Sequence, residues 1–531
     1  CQEQGIGRGD PKWFTFLANL FSGVGGSWYT TYHAQPTFIS SKAYFIHSTH
    51  TAYSEIDLKS PHESLFYIWE IPKEIYVGVF EDLKKTLGNL TELLGRQPAL
   101  PEWAYDGVWL AIQKGSNAVR TRLAKALEKG VKVAAIWSQD WQGIRKTAFG
   151  TQLMWNWQYS TDLFPDMKEF IAELRSKNIR FLGYCNSFLA IEKNLYAEAK
   201  EKGYCVKNHD DKDYYVYVTT FPAAIVDLTN PEAYNWLKNV LKNNMIGIGL
   251  SGWMADFGEY LPPDAKLHSG EDGALVHNKF PVLWQKLNYE AVKEAGMLGE
   301  TIFFTRSGFS QTSRYSTLVW GGDQLPTFSM DDGLASVICA GLSIDFSGIA
   351  YYHSDIGGYT TFGPFRRGKE LFMRWAEQSA FTVVMRSHEG NRPEKNWQFD
   401  HDDECLKHLA KMSKIHASMK PYMIELSNDY QNSGIPPMRA MVLHYENDKE
   451  VLNMKYQYMF GSDLIVAPIY QKGQRTQKVY IPESETWIHV WSGKIMPKGY
   501  STVDAPIGEP PVFYRRDSKF ISIFESWKNI K

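Results

Sequence analysis

The sequence predicts an α/β protein built on a (β/α)8 TIM barrel, flanked by an N-terminal β-sandwich and a C-terminal β-sandwich. Three observations carry this reading. From about residue 103 to 425, short apolar runs alternate with helical stretches, the pattern of parallel strands joined by helical crossovers. The strand candidates number eight, as a closed barrel requires. Most of them end in a polar or charged side chain, and in a barrel the C-terminal ends of the strands carry function.

Residues 1–100 read as the N-terminal β-sandwich domain, from runs such as Phe45-Ile46-His47 and Leu65-Phe66-Tyr67-Ile68-Trp69 between polar turns. Cys1 leads straight into Glu3-Gln4-Gly5-Ile6 with no leader segment, so an incomplete N-terminus is expected. An amphipathic helix is predicted over 79–94, and Pro98 to Pro101 breaks the chain before the next unit. The catalytic barrel is placed at 101–425. Its strand candidates are 107–113, 131–139, 180–186, 252–257, 302–306, 318–323, 348–355 and 380–388, with helices at 117–128, 166–177, 231–243 and 279–295. The stretch 188–226 exceeds an ordinary βα loop and reads as an insertion over the top face. After about 425 the helical pattern is expected to stop, and strand-like runs at 454–469 and 479–491 predict the C-terminal β-sandwich domain, 426–531.

Composition excludes several functions. Basic and acidic residues balance at 57 and 59, with no block of Lys/Arg, which argues against nucleic acid and anionic membrane surfaces. No apolar run is long enough for a transmembrane helix. The five cysteines are widely spaced with no CxxC pair, so neither a metal nor a cofactor is expected, and a cytoplasmic location is preferred. Aromatic residues make up 15% of the chain, which fits aromatic-filled cores and also a surface that stacks on sugar rings. Barrels with β appendages often self-associate, which leaves a homo-oligomer open.

Two strand-end carboxylates point to glycoside hydrolysis, which needs a carboxylate on one face of the anomeric carbon and a proton donor at the leaving oxygen. Asp256 ends Gly252-Trp-Met-Ala-Asp256, and Asp323 ends Val319-Trp-Gly-Gly-Asp323, a spacing that fits strands two apart. A lone strand-end Asp often serves as a helix N-cap, but so many polar strand ends together favour a site. Gly321-Gly322 is expected to let substrate approach closely. Arg306 is expected to pair with a carboxylate or a sugar hydroxyl, and His388 to donate to ring hydroxyls or to sit buried and satisfied. His353 and Asp355 lack a third ligand at metal-binding spacing.

These residues make the chain resemble glycoside hydrolase family 31, over nearly its whole length. The resemblance rests on Gly252-Trp-Met-Ala-Asp-Phe-Gly-Glu259, the segment ending Gly-Gly-Asp323, and Tyr458-Met-Phe-Gly-Ser-Asp-Leu-Ile-Val-Ala-Pro468. Within the family, Phe304-Thr-Arg-Ser-Gly-Phe309, His353-Ser-Asp-Ile-Gly-Gly-Tyr359 and His388-Glu-Gly-Asn-Arg-Pro393 are similar to the sulfoquinovosidases, which release 6-deoxy-6-sulfoglucose from its α-glycosides. The resemblance implies a retaining, exo-acting double displacement with Asp256 as nucleophile and Asp323 as acid/base. It also implies a sulfonate-binding set at Gln113, Gln139, Gln152 and Trp155, with Tyr359 nearby. Here the sequence departs from the pattern, because Gln152 stands where those enzymes place an Arg. Lys114, Arg145 and Lys146 are the nearby cations that could replace it. The alternatives are an α-glucosidase-like activity on a non-sulfonated sugar, against which stands the lack of an acid at Gln139, and an inactive sugar-binding barrel.

Overall fold

The computed structural model describes residues 31–147, 150–218 and 221–530, so Cys1 and the opening segment lie outside the described residues. The N-terminal region contains five short strands: β1 (Thr37–Ser40), β2 (Tyr44–Ser48), β3 (Ser54–Asp57), β4 (Leu65–Ile68) and β5 (Ile75–Val79). β1, β2 and β5 form one antiparallel sheet, and β3 and β4 a separate hairpin. The helix expected from Val79 begins later, at Leu83, because Ile75–Val79 is taken up by pairing with β2. Asp82 caps it by accepting the Lys85 N–H at 2.7 Å. Leu90 and Leu94 of this helix pack on Phe45 of β2.

The barrel strands are β6 (Val108–Ala111), β7 (Val133–Trp137), β10 (Arg180–Asn186), β14 (Gly252–Asp256), β15 (Ile302–Thr305), β16 (Leu318–Trp320), β17 (Tyr352–His353), β18 (Asp355–Ile356) and β19 (Arg386–Ser387). They pair in parallel in the order β17-β16-β15-β14-β10-β7-β6-β19-β18. The two ends of this run, β17 and β18, are consecutive pieces of one segment split at Ser354, so the ring closes with eight strand positions. β6, β14, β15 and β16 are buried at every residue, as strands covered on both faces require. The intervening labels belong to excursions. β8 (Ile144–Thr147) and β9 (Gly150–Leu153) form a hairpin after β7, and β11 (Phe188–Ala190), β12 (Tyr215–Val218) and β13 (Phe221–Ile225) form a small antiparallel sheet within 188–226.

One strand expectation is corrected. Of 380–388, only Arg386–Ser387 is extended. Phe381, Val383, Val384 and Met385 are buried in a turn, held by the Thr382 hydroxyl donating to the carbonyls of Ser379 and Val384. A buried turn and a buried strand leave the same apolar run in a sequence.

Much of the aromatic content fills the barrel. Phe304 of β15 meets Trp109 of β6, Trp137 of β7, Trp320 of β16 and His353 of β17, with ring centroids 5.4–6.2 Å apart. The Arg386 guanidinium lies over Trp137 and Phe304 and donates from Nε to His353 Nε2 at 2.8 Å, with Asp355 as its ion-pair partner. The His353–Asp355 pair is thereby tied into the barrel interior.

Helices do not stop near 425: Lys420–Ser433 runs on to Gly434, whose φ of 78° terminates it in the left-handed region. Beyond it, β20 (Met438–Ala440), β21 (Tyr458–Phe460), β22 (Leu464–Val466), β24 (Trp487–His489) and β26 (Val512–Arg515) form one sheet, and β23 (Thr476–Ile481) pairs with β25 (Gly499–Asp504) in another. Met459, Ile465 and Phe513 of the first sheet share a core with Val479 and Ile481 of the second. No helix of the described residues is long and apolar enough to cross a membrane.

Candidate active site

Strand pairing puts Asp256 at the end of β14 and Asp323 just past β16, with β15 between them. Arg306 follows β15 and occupies that gap. Its Nε lies 3.3 Å from Asp256 Oδ1, its Nη1 donates to Asp323 Oδ2 at 3.0 Å, and its Nη2 donates to Glu259 Oε1 at 2.7 Å. One guanidinium thus meets three carboxylates. The rings of Tyr32 and Phe257 stack on it, at 4.7 and 4.3 Å from the guanidinium carbon. With 4% of its side chain accessible, Arg306 is fixed in place and charged, because the acidic groups around it, Asp256 first, outweigh the cost of burial.

Asp256 has a donor on each oxygen. The Tyr184 hydroxyl donates to Oδ2 at 2.7 Å and the Phe257 N–H to Oδ1 at 2.8 Å. Tyr184 is in turn held by the Asn186 amide at 3.2 Å. These donors stabilise a carboxylate and fix its plane. Phe257 has φ of 61°, an unusual conformation for a bulky residue, which turns the chain sharply after Asp256.

Asp323 sits in a different environment. Its side chain is 35% accessible, against 11% for Asp256. Burial raises its pKa to about 7; Arg306 opposes the shift, and Asp256, Asp355 and Glu259 reinforce it. Gly322, just before it, has φ of 81°, and a Cβ there would lie 2.3 Å from the Tyr32 ring. A Cβ on Gly321 would lie 2.7 Å from the Tyr352 hydroxyl. The glycine pair therefore makes room for two tyrosines of this chain.

The remaining candidates line an arc over β6, β7 and the excursions. Gln113 follows β6, and its N–H donates to Glu389 at 3.1 Å. Gln139 follows β7, and its carbonyl accepts the Gln142 amide at 2.6 Å. Gln142 Oε1 in turn accepts the Trp155 N–H at 3.0 Å, which ties the segment after β9 back to β7. Trp155 is buried with φ of 46°, and its ring meets Phe188, Phe221 and Phe257. Gln152 lies on β9, partly exposed, in register with Arg145 of β8. His388 lies between Trp137 and Tyr359, both 4.7 Å away. Burial, then Arg386 and Arg367, hold it neutral; Nδ1 accepts the Gly390 N–H, so its proton is on Nε2. It is both buried and a potential donor.

Sequence reasoning gave no role to Glu259, Tyr184, Tyr32 or Gln142. Glu259 was visible three residues past Asp256. Tyr184 alternates with Asn186 on β10, the only local signal for it. Tyr32 acts from a distant part of the chain and left none.

With this geometry established, similarity to known proteins can be placed. Residues 97–426 match the glycosyl hydrolases family 31 TIM-barrel domain, and 434–518 the glycosyl hydrolase family 31 C-terminal domain. The chain belongs to glycoside hydrolase family 31. It is 45% identical over 528 residues to the sulfoquinovosidase of Escherichia coli K12, covering 99% of this chain and 78% of that protein. It is 41% identical over 530 residues to the sulfoquinovosidase of Agrobacterium fabrum C58, covering 99% and 80%. Among solved structures, it matches a family 31 sulfoquinovosidase from E. rectale bound to an aza-sugar inhibitor, with a TM-score of 0.96, 43% identity and coverage of 99% and 79%. As a family 31 member with these relatives, the protein is an O-glycosyl hydrolase.

Proposed function

We propose that the protein hydrolyses α-sulfoquinovosides, such as sulfoquinovosyl glycerol or its diacylated form, by retaining double displacement. Asp256 attacks the anomeric carbon as the bond to the leaving oxygen breaks, and Asp323 gives that oxygen its proton. Water then adds to the anomeric carbon, Asp323 takes the water's proton, and the bond to Asp256 breaks, which releases the sugar with its configuration retained. The observation that carries this assignment is the contrast between two carboxylates on one guanidinium. Asp256 is clothed in donors, as a nucleophilic carboxylate should be, whereas the pKa of Asp323 is raised to about 7, as a proton donor requires.

The sulfonated substrate is supported by the two sulfoquinovosidases that match 99% of the chain. It is also supported by the amide donors Gln113 and Gln139 at neighbouring strand ends, with no acid at position 139, where glucose-acting relatives are expected to carry a carboxylate. Tyr359, His388 and Trp155 complete the sugar-facing set, and Arg306 adds a donor beside the ring. The test is a comparison of kcat/KM on para-nitrophenyl α-sulfoquinovoside and para-nitrophenyl α-glucoside, with NMR of the first-formed anomer. Preference for the sulfonated sugar with an α-product is expected. Preference for the glucoside would overturn the substrate, and a β-product would overturn the double displacement.

A further inference from the structure

Resting on the sulfoquinovoside reading, we propose that Arg145 is the specificity-determining residue that recognises the charge of the sulfonate. A sulfonate is ionised at every biological pH, and a partly dehydrated anion is best held by a forked, charged donor. Gln113, Gln139 and Gln152 provide hydrogen bonds without charge.

The other cations near this part of the barrel are committed or turned away. Arg306 and Arg386 are bound to carboxylates and rings inside the barrel. Arg367 donates to the carbonyls of Ile356, Gly358, His388 and Glu389. Arg122 pairs with Glu389 and Asp400. Lys114 and Lys146 are exposed, and Lys146, next to Arg145 on β8, points to the opposite face of the hairpin.

Arg145 is placed differently. It stands directly across from Gln152 in the antiparallel register, so the two side chains share one face. Only 15% of its side chain is accessible. Its guanidinium lies 4.0 Å above the Phe221 ring, and Phe221 touches Trp155 at 4.7 Å. Trp155 meets Phe257, whose N–H binds the Asp256 carboxylate. Two N–H groups anchor the fork to the carbonyls of Leu153 and Met154, at 3.3 and 3.1 Å, and Nη1 faces Glu192. Of the five N–H bonds of a guanidinium, these contacts occupy three, and the other two have no partner among the described residues. The Glu192 side chain is 45% accessible, so water screens that ion pair from outside. Arg145 thus sets a guanidinium on the hairpin face that Gln152 occupies.

The experiment measures kcat/KM on the sulfoquinovoside and the glucoside for the wild type, Arg145→Gln, Arg145→Lys and the double variant Arg145→Gln/Gln152→Arg, with thermal midpoints as a check on folding. Arg145→Gln is expected to lower the sulfoquinovoside-to-glucoside ratio by about 10- to 150-fold, mostly through KM. The double variant should recover most of that loss, because it returns a guanidinium to the same face. A hairpin anchor alone would lower both substrates together and would not be rescued from position 152. That result, or an unchanged ratio in Arg145→Gln, overturns the proposal. Should Arg145→Gln fail to fold, the ratio in Arg145→Lys and the double variant decides in the same way. A wild type without preference for the sulfonated sugar overturns the substrate reading itself, and is seen before any variant is made.

Discussion

The two walls of the pocket are built on different principles. The wall bearing Asp256, Arg306, Glu259 and Asp323 gathers three carboxyl groups around one guanidinium, each in contact with it. The wall bearing Gln113, Gln139, Gln152 and Trp155 is mostly neutral, and half of it stands on a hairpin and the segment after it. The first wall is suited to bond-making at a carbon common to all α-glycosides. On the proposed function, the second tells one sugar from another.

This contrast predicts that damage to the first wall affects every substrate, and damage to the second affects their ratio. The largest effect is expected from Asp256→Asn: turnover of both glycosides should vanish in a stopped assay, while calorimetry still detects binding of the sugar. Asp323→Asn should slow hydrolysis of the glycerol glycoside by about 10²- to 10⁴-fold, and far less for a para-nitrophenyl leaving group that needs little protonation. Arg306→Leu would strand buried carboxylates and should lower the unfolding free energy by about 3–5 kcal/mol in urea titration. Tyr184→Phe removes one donor from the Asp256 carboxylate; kcat should drop roughly 10-fold or more on both substrates, without change in their ratio. The smallest effect is a displacement of the pH profile. The alkaline limb of kcat/KM should fall near pH 7, as Asp323 loses its proton. Glu259→Gln removes a negative neighbour that raises the Asp323 pKa, so that limb should move to lower pH; movement upward would contradict the electrostatic assignment.

Legibility in the sequence follows the same division. Asp256, Arg306 and Asp323 could be located because each ends an apolar run, and barrel geometry then fixes what lies beside what. The strands were legible for the same reason, except near Phe381–Met385, where burial without extension gives the same apolar run. Contacts made by reach were not legible. The Tyr184 hydroxyl spans from β10 to Asp256, and Gln142 joins the carbonyl of Gln139 to the N–H of Trp155. Nothing in a pair of glycines reveals that Gly321 and Gly322 yield to Tyr352 and Tyr32. The register that sets Arg145 opposite Gln152 depends on where the hairpin turns, which an apolar pattern does not fix.

Tyr32 has a consequence for how the molecule can be divided. The family 31 barrel match begins at residue 97, yet a ring from position 32 stacks on the central guanidinium and fills the space left by Gly322. Tyr32, ahead of the barrel match, is therefore part of the site around Arg306. A barrel transplanted alone would carry both acids, but would leave open the flank of Arg306 that Tyr32 now closes. Grafting between relatives should exchange residues around 32 and 322 together, because each is shaped to the other.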